Sequence, residues 1–579
     1  MVSVILLWIY MFLTIYPVGF FTLDILYKKP GNNKERGIDG YMVLLAGMVV
    51  NTVYAETYSL FDGVGGKASI LLIAVNVLIV IKYRDEFRKR LGDTYRRLNS
   101  YTFGRSFLIL LSVFLCIYFT SSGLFVSDTG LYHAQAIRWI EDYGVVKGLV
   151  NVQYRLAYNS SAMCFFALYS LRWLLGQSYH ACNGFVLLIV YLYGLNNIYN
   201  RKDKGDLNFF VSLGSLICGW YLMLNILSPS SDGMPTLLVL LITMKWSELI
   251  NKEEKDIISW ALLSVASITA FTGKVSTAMI VLIVIYPAIR LIMEKHIKEI
   301  FIYVFLGLIC IAPFVARNVI ISGWLLYPLS LIDMFDLPYK YPKDLLEVDA
   351  WRSMIGSRFC NCNWYEFEKW MPLWWKNIGY VGRVWFVMDL LAAVLFITAG
   401  IKDLSIKKVD LFGVHITAVF AAGLIYWFVT GPVVRYSSSF IILFPMVVIG
   451  VLYTHLRRFD TDKSKKGTVF KVLVTTYVSL MISGLIPTEE YLSSVESYRL
   501  NHICVLKQQD YEVPDMLSYD MGGVEIFYPK EGDLSWYNAF PASPDKETAT
   551  NVEMLGSSIN DGFKMKKHYS IDKTQLIPQ

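Results

Sequence analysis

Ionisable residues in this sequence gather where apolar runs end, and their types suit the transfer of a group from one oxygen to another. The segment VSDTGLYHAQAIRWIEDYGVVKGLVNVQYRLAYNSS, from Val126 to Ser161, directly follows the apolar run Phe107 to Phe125 and carries Asp128, His133, Arg138, Glu141, Asp142 and Arg155. A carboxylate can take the proton of an attacking hydroxyl, and guanidinium or ammonium groups can hold an anionic leaving group. Later apolar runs end on similar residues: Asp232 in SPSSDGMP, Lys274 in TGKVS, Arg317 after Pro313, and Arg435 and Tyr436 after Gly431-Pro432. Ionisable groups at such positions are costly unless they face protein or water, so a shared wet cavity is the economical expectation. A plainer alternative stands beside it. Leu131, Ala134, Ile137 and Ile140 recur at helical spacing, as in an interfacial helix with a wet face, and any one basic residue could simply snorkel toward headgroups.

The elements that must position these residues are membrane spans. Hydrophobic residues make up 55% of the 579 and charged residues 17%, with a mean hydropathy of +0.45. Runs of ~20 mostly apolar residues recur almost from end to end. The expected fold class is an all-α polytopic membrane protein with about fourteen spans, counted from the runs near 4–26, 41–60, 69–83, 106–125, 182–199, 207–227, 235–250, 257–272, 278–293, 299–315, 383–400, 409–429, 437–455 and 468–487. The first run has no basic residue before it and no small-residue cleavage site, so it reads as an anchor and not a removable signal.

Basic clusters set the expected sidedness. Lys28, Lys29, Lys34 and Arg36 follow the first run, and Arg84, Arg88, Lys89, Arg90, Arg96 and Arg97 follow the third. The positive-inside rule puts both clusters in the cytoplasm, which sends Asp128 to the outer face. The net charge of +6 is spread over such loops, so it carries no nucleic-acid signal. Three larger segments are then outside: 126–180, the Trp-rich 316–382, and a small cap from 488 to 579 read as α/β or irregular. Cys360, Cys362 and Cys504 fall on that side, where a disulfide between Cys504 and one of the pair could persist. No GxxxxGK[ST] phosphate loop and no GxSxG elbow is present, which leaves a nucleotide-powered or serine-hydrolase mechanism without its usual parts.

SDTGLYHAQAIRWIEDYG after a span resembles the acidic motif opening the first outer loop of the GT-C-fold glycosyltransferases, which are polytopic enzymes that take sugar from polyprenyl-phosphate carriers. SPSSDGMP, PFVARNVIISGWLLYPLS and GPVVRYSS are similar to loops of uncharacterised bacterial members of that class, and the resemblance covers roughly 105 to 455. It implies a GT-C-like core over 106–487, preceded by added helices over 1–105 and followed by an extracytoplasmic region over 488–579. It also implies a multi-pass protein of the bacterial inner membrane whose site faces the periplasmic or outer side. The expected partners are a polyprenyl-phosphate-linked sugar, a glycan or lipid acceptor, and the bilayer. Asp128 is the expected base of an inverting displacement, with Lys274, Arg317 and Arg435 stabilising the departing phosphate. His133, Arg138, Arg155, Asp232 and Tyr436 are the further candidates for holding substrate. Asp128 has no second carboxylate adjacent in sequence, which leaves a divalent metal ion open as a cofactor. A polysaccharide polymerase or ligase, or a lipid-linked-sugar flippase, is the alternative reading.

Overall fold

The computed structural model describes residues 1–27, 38–121, 125–204, 206–225, 228–249, 257–405, 411–459 and 505–567. Most of them are helical. Among the described residues, eight helices are long and apolar enough to cross a membrane: Val2–Tyr27, Phe103–Ser121, Cys182–Tyr199, Asp206–Met223, Val275–Met293, Ile297–Ser322, Gly379–Ala399 and Phe412–Thr430. A ninth arises if Gly66–Lys82 and Arg84–Asn99, bent by 83°, form one broken span.

The expected fourteen spans are therefore not reached among the described residues, for identifiable reasons. The runs near 235–250 and 257–272 form helices of 17 residues, Gly233–Leu249 and Ile257–Gly273. Every side chain but one of Gly233–Leu249 is buried against neighbouring helices, so its apolarity serves packing. Helix Gly40–Tyr58 buries Asn51, Thr52 and Glu56, which dilute its hydropathy. The run near 468–487 lies outside the described residues, as does Cys504. Cys360 and Cys362 are free thiols.

One apolar core joins the amino-terminal helices to the later ones. Val2–Tyr27 and Gly40–Tyr58 cross at glycines: a Cβ on Gly19 would lie 2.0 Å from the Val43 carbonyl oxygen, and one on Gly47 would lie 2.0 Å from that of Ile15. Such close backbone approach is how apolar helices gain packing energy where burial from water supplies none. A buried side-chain amide is paired at this interface. The Asn51 amide donates to the Tyr169 hydroxyl at 2.7 Å and to the Thr14 carbonyl at 3.0 Å.

The segment 126–180 is not a plain loop. It contains helix Ala134–Tyr143 and helix Ser161–Tyr169, and every residue of the latter is buried in the core. The described part of the tail, 505–567, forms two antiparallel hairpins. One pairs Met516–Asp520 with Glu525–Pro529, Met516 opposite Pro529; the other pairs Val552–Met554 with Phe563–Met565, Val552 opposite Met565. This unit rests on helix Ala134–Tyr143, where Trp139, Ile526 and Phe563 share a second apolar cluster.

Candidate active site

Five separate chain segments build the surroundings of Asp128. It stands at the start of a short π-helical turn, Thr129–His133. The Thr129 hydroxyl donates to the Ser228 hydroxyl at 3.2 Å, which ties this turn to the 228–232 turn. Asn183, in the first turn of Cys182–Tyr199, donates to the carbonyls of Ser228 at 2.8 Å and Ser230 at 3.2 Å. The Asp232 backbone N–H is held by the Ser230 hydroxyl at 3.1 Å. Gly233 follows because a Cβ there would lie 2.6 Å from the Asn183 side chain.

The cations come from two further segments. Lys274 ends helix Ile257–Gly273 in an extended conformation, and the Ser160 hydroxyl donates to the Gly273 carbonyl at 2.6 Å. Arg435 sits in the 3-10 turn Val434–Tyr436. That turn is pinned by indole N–H groups: Trp374 donates to the Pro432 carbonyl at 2.7 Å and Trp427 to the Val433 carbonyl at 2.8 Å. The Ser276 hydroxyl donates to the Tyr436 carbonyl at 2.6 Å, linking the two cation-bearing segments.

The resulting cluster balances two carboxylates with two cations. Arg435 Nη2 donates to Asp128 Oδ2 at 2.7 Å, and its Nε lies 3.9 Å from Asp232 Oδ2. The Lys274 ammonium contacts Asp232 Oδ1. Both cations flank the Tyr436 ring, Lys274 at 4.4 Å and Arg435 at 5.3 Å from its centroid. Asp232 is almost closed off at 4% exposure, whereas Asp128 at 22% and Arg435 at 32% remain reachable. The second carboxylate missing beside Asp128 in sequence is thus supplied from more than a hundred residues away.

Burial decides the protonation of the neighbours. It pushes the His133 imidazole down to about 3, with Asp128 opposing and Lys274 and Arg435 reinforcing the shift. His133 is therefore a neutral ring, 3.4 Å from the Ser231 hydroxyl. Burial and then Arg435 push the Lys274 ammonium down to about 7, while Asp128 works in the opposite direction. Contact with the Asp232 carboxylate also favours the charged form. Among the described residues no group of three or more His, Cys, Asp or Glu is placed to hold a metal ion. Cationic side chains occupy the space between Asp128 and Asp232, so the residues present do not fit a metal centre.

Of the other sequence candidates, Arg138 is turned away from the cluster. It donates to the carbonyls of Tyr537 at 2.8 Å and Asn538 at 2.6 Å and pairs with Asp142 at 3.5 Å, which makes it a clamp for the tail. Arg317, expected beside Lys274 and Arg435, donates instead to Asn159 at 2.9 Å and to the Ser59 hydroxyl. Its helix runs on through Pro313 to Ser322, so Arg317 sits within the helix and not at the span end. Arg155 and Arg317 both line a small cavity, whose wall also includes Tyr132 and Ser231. Asn183 carries the positioning of Asp232 and was not singled out by sequence. Its signal is a polar residue in the opening turn of an apolar helix.

No curated protein and no solved structure matches the chain. A family model described as "Domain of unknown function (DUF8201)" matches residues 1–442, a stretch that holds Asp128, Asp232, Lys274, Arg317 and Arg435. With about three quarters of its length matched, the chain belongs to the DUF8201 family.

Proposed function

We propose that this protein is a membrane glycosyltransferase that moves a sugar from a polyprenyl-phosphate donor to a hydroxyl of a glycan or lipid-linked acceptor on the outer face of the membrane. The observation that carries this reading is the meeting of Asp128 and Arg435, 307 positions apart, at 2.7 Å, with Asp232 and Lys274 beside them. The resemblance of SDTGLYHAQAIRWIEDYG, SPSSDGMP and GPVVRYSS to GT-C loops points the same way.

The chemistry follows from the cluster's charges. The acceptor oxygen bonds to the anomeric carbon while its proton passes to Asp128. The bond from that carbon to the phosphate oxygen breaks, its electron pair staying on the phosphate, and attack from the opposite face inverts the centre. Negative charge on the departing phosphate grows in the transition state, so Lys274 and Arg435 stabilise that state more than the bound donor. A bound donor phosphate draws Arg435 from Asp128, which leaves the carboxylate a better base. Asp232 acts through Lys274 as a positioning residue.

The test uses the purified full-length protein, a panel of short-chain polyprenyl-phosphate sugars and candidate acceptors, with release of polyprenyl phosphate as the readout. Acceptor-dependent release is the expected result. Movement of lipid-linked sugar across liposomes with no release would favour the flippase alternative and overturn this reading.

A further inference from the structure

Beside the charge-balanced cluster lies a cavity with no counter-charge on its wall. It holds about 30 Å³ and is lined by Arg155, Arg317, Tyr132, Tyr158, Ser231 and Trp139 among others, with no carboxylate among the described lining residues. That volume takes about two waters, or one compact anionic group in their place. Arg317 is 2% exposed, and its guanidinium is oriented by neutral oxygens, Asn159 Oδ1 and the Ser59 hydroxyl. Neither arginine has a carboxylate within 4.0 Å among the described residues. Asp349, on the Arg155 side, is engaged by the Tyr327 hydroxyl at 2.8 Å and lies 3.7 Å from Arg352. Glu56, on the Arg317 side, is 1% exposed with both carboxyl oxygens unpartnered. Trp139 is 1% exposed, and its indole N–H has no acceptor.

A buried donor left without an acceptor beside two guanidinium groups describes a site awaiting oxygen atoms. Arg155 and Arg317 are opposed only at longer range, by Asp349 and Glu56, and although most of the wall is apolar, the donors it carries from Tyr132, Ser231 and Trp139 suit the oxygens of a phosphate. The position matters as well. Tyr132 and Ser231 line this cavity and immediately precede His133 and Asp232, so the cavity adjoins the ion cluster through both turns.

We propose that the Arg155–Arg317 cavity is a phosphate-binding site, separate from the Asp128–Asp232 cluster, that holds a second phosphate group carried by the substrate pair. That group belongs either to a lipid diphosphate donor or to a phosphorylated acceptor. Only the identity of the bearer rests on the glycosyl-transfer reading; the binding itself does not.

The experiment is calorimetric titration of the full-length protein in detergent with inorganic phosphate, short-chain polyprenyl phosphate and short-chain polyprenyl diphosphate. Because no turnover is read, failure here and failure of glycosyl transfer are distinguishable. Arg155→Gln, at a half-buried position, weakens inorganic phosphate about tenfold, the usual cost of a lost charge-assisted bond. Trp139→Phe weakens it about fivefold, and both effects persist in an Arg435→Gln background, where the cluster's own phosphate contact is lost. If Arg155→Gln also removes an excess affinity for diphosphate over monophosphate, the second phosphate is the donor's; if no such excess exists, it is the acceptor's. The proposal is overturned if the wild-type protein binds no phosphate, if both Arg155→Gln and Trp139→Phe bind it as the wild type does, or if Arg435→Gln abolishes binding that they spare.

Discussion

Arg435 is the residue on which the cluster turns, since it reaches Asp128 at 2.7 Å and Asp232 at 3.9 Å and its neighbour Tyr436 lies beneath both cations. Lys274 is the member whose charge can be varied by pH. Burial and Arg435 bring its pKa down toward about 7 while the Asp128 and Asp232 carboxylates oppose the shift, and a lysine is charged below its pKa and neutral above it. Activity that needs the ammonium is therefore complete on the acid side and falls as pH rises through that range, by about tenfold for each unit beyond the pKa. Lys274→Arg keeps its charge at every pH. The expected outcome is a flat profile from pH 7 to 9 in that variant where the wild type declines; a parallel decline in both would remove Lys274 from the account. At this scale the sequence was informative, because ionisable residues at the ends of apolar runs need a reason and Asp128, Asp232, Lys274 and Arg435 share one. Arg317 was misplaced because run boundaries do not fix where a helix ends, and a helix continuing to Ser322 turns its guanidinium toward Asn159.

At the scale of elements, the cluster depends on turns held by their neighbours. The 228–232 turn hangs on the Asn183 amide, and Gly233 is the position that lets it approach. Gly233→Ala forces a Cβ to within 2.6 Å of a side chain already committed to two hydrogen bonds. The expected cost is about 1–3 kcal/mol of stability, read as a lowered thermal midpoint in detergent, together with lost activity as Asp232 is displaced. An unchanged midpoint and activity would show that the turn is slack. Apolar runs announced most of these helices, since a bilayer or a core demands the same composition. They could not distinguish the two environments, and so Gly233–Leu249, buried on nearly every side, read as one more membrane span. The buried helix Ser161–Tyr169 escaped notice because nine residues are too few for the pattern of a span.

Across the whole molecule, the carboxy-terminal unit is fastened to the segment that bears Asp128. Gln135 donates to the carbonyls of Trp536 at 2.8 Å and Ala539 at 2.7 Å, and Arg138 grips those of Tyr537 and Asn538. The Trp536 ring closes on Gly130, where a Cβ would lie 2.8 Å from it. Arg138→Ala removes two charge-assisted bonds, each worth about 1.5–3 kcal/mol. Limited proteolysis followed by mass spectrometry should then cut within 505–567 at least about tenfold faster while the helical core stays protected. Equal rates would mean that the tail holds without this clamp. The docking was not legible beforehand, because a cap of short strands with turn residues carries no signature of the surface it covers.

In the proposed reaction the carboxylate of Asp128 acts as the base in sugar transfer from a lipid phosphate. Asp128→Asn preserves the size of the side chain and a hydrogen-bond acceptor for Arg435, but it cannot accept the acceptor's proton. The most direct measurement is the acceptor-dependent rate of polyprenyl phosphate release by wild type and Asp128→Asn under saturating donor. The expected result is a fall of about 10²–10⁴-fold with donor binding retained. Equal release by the two proteins would contradict it.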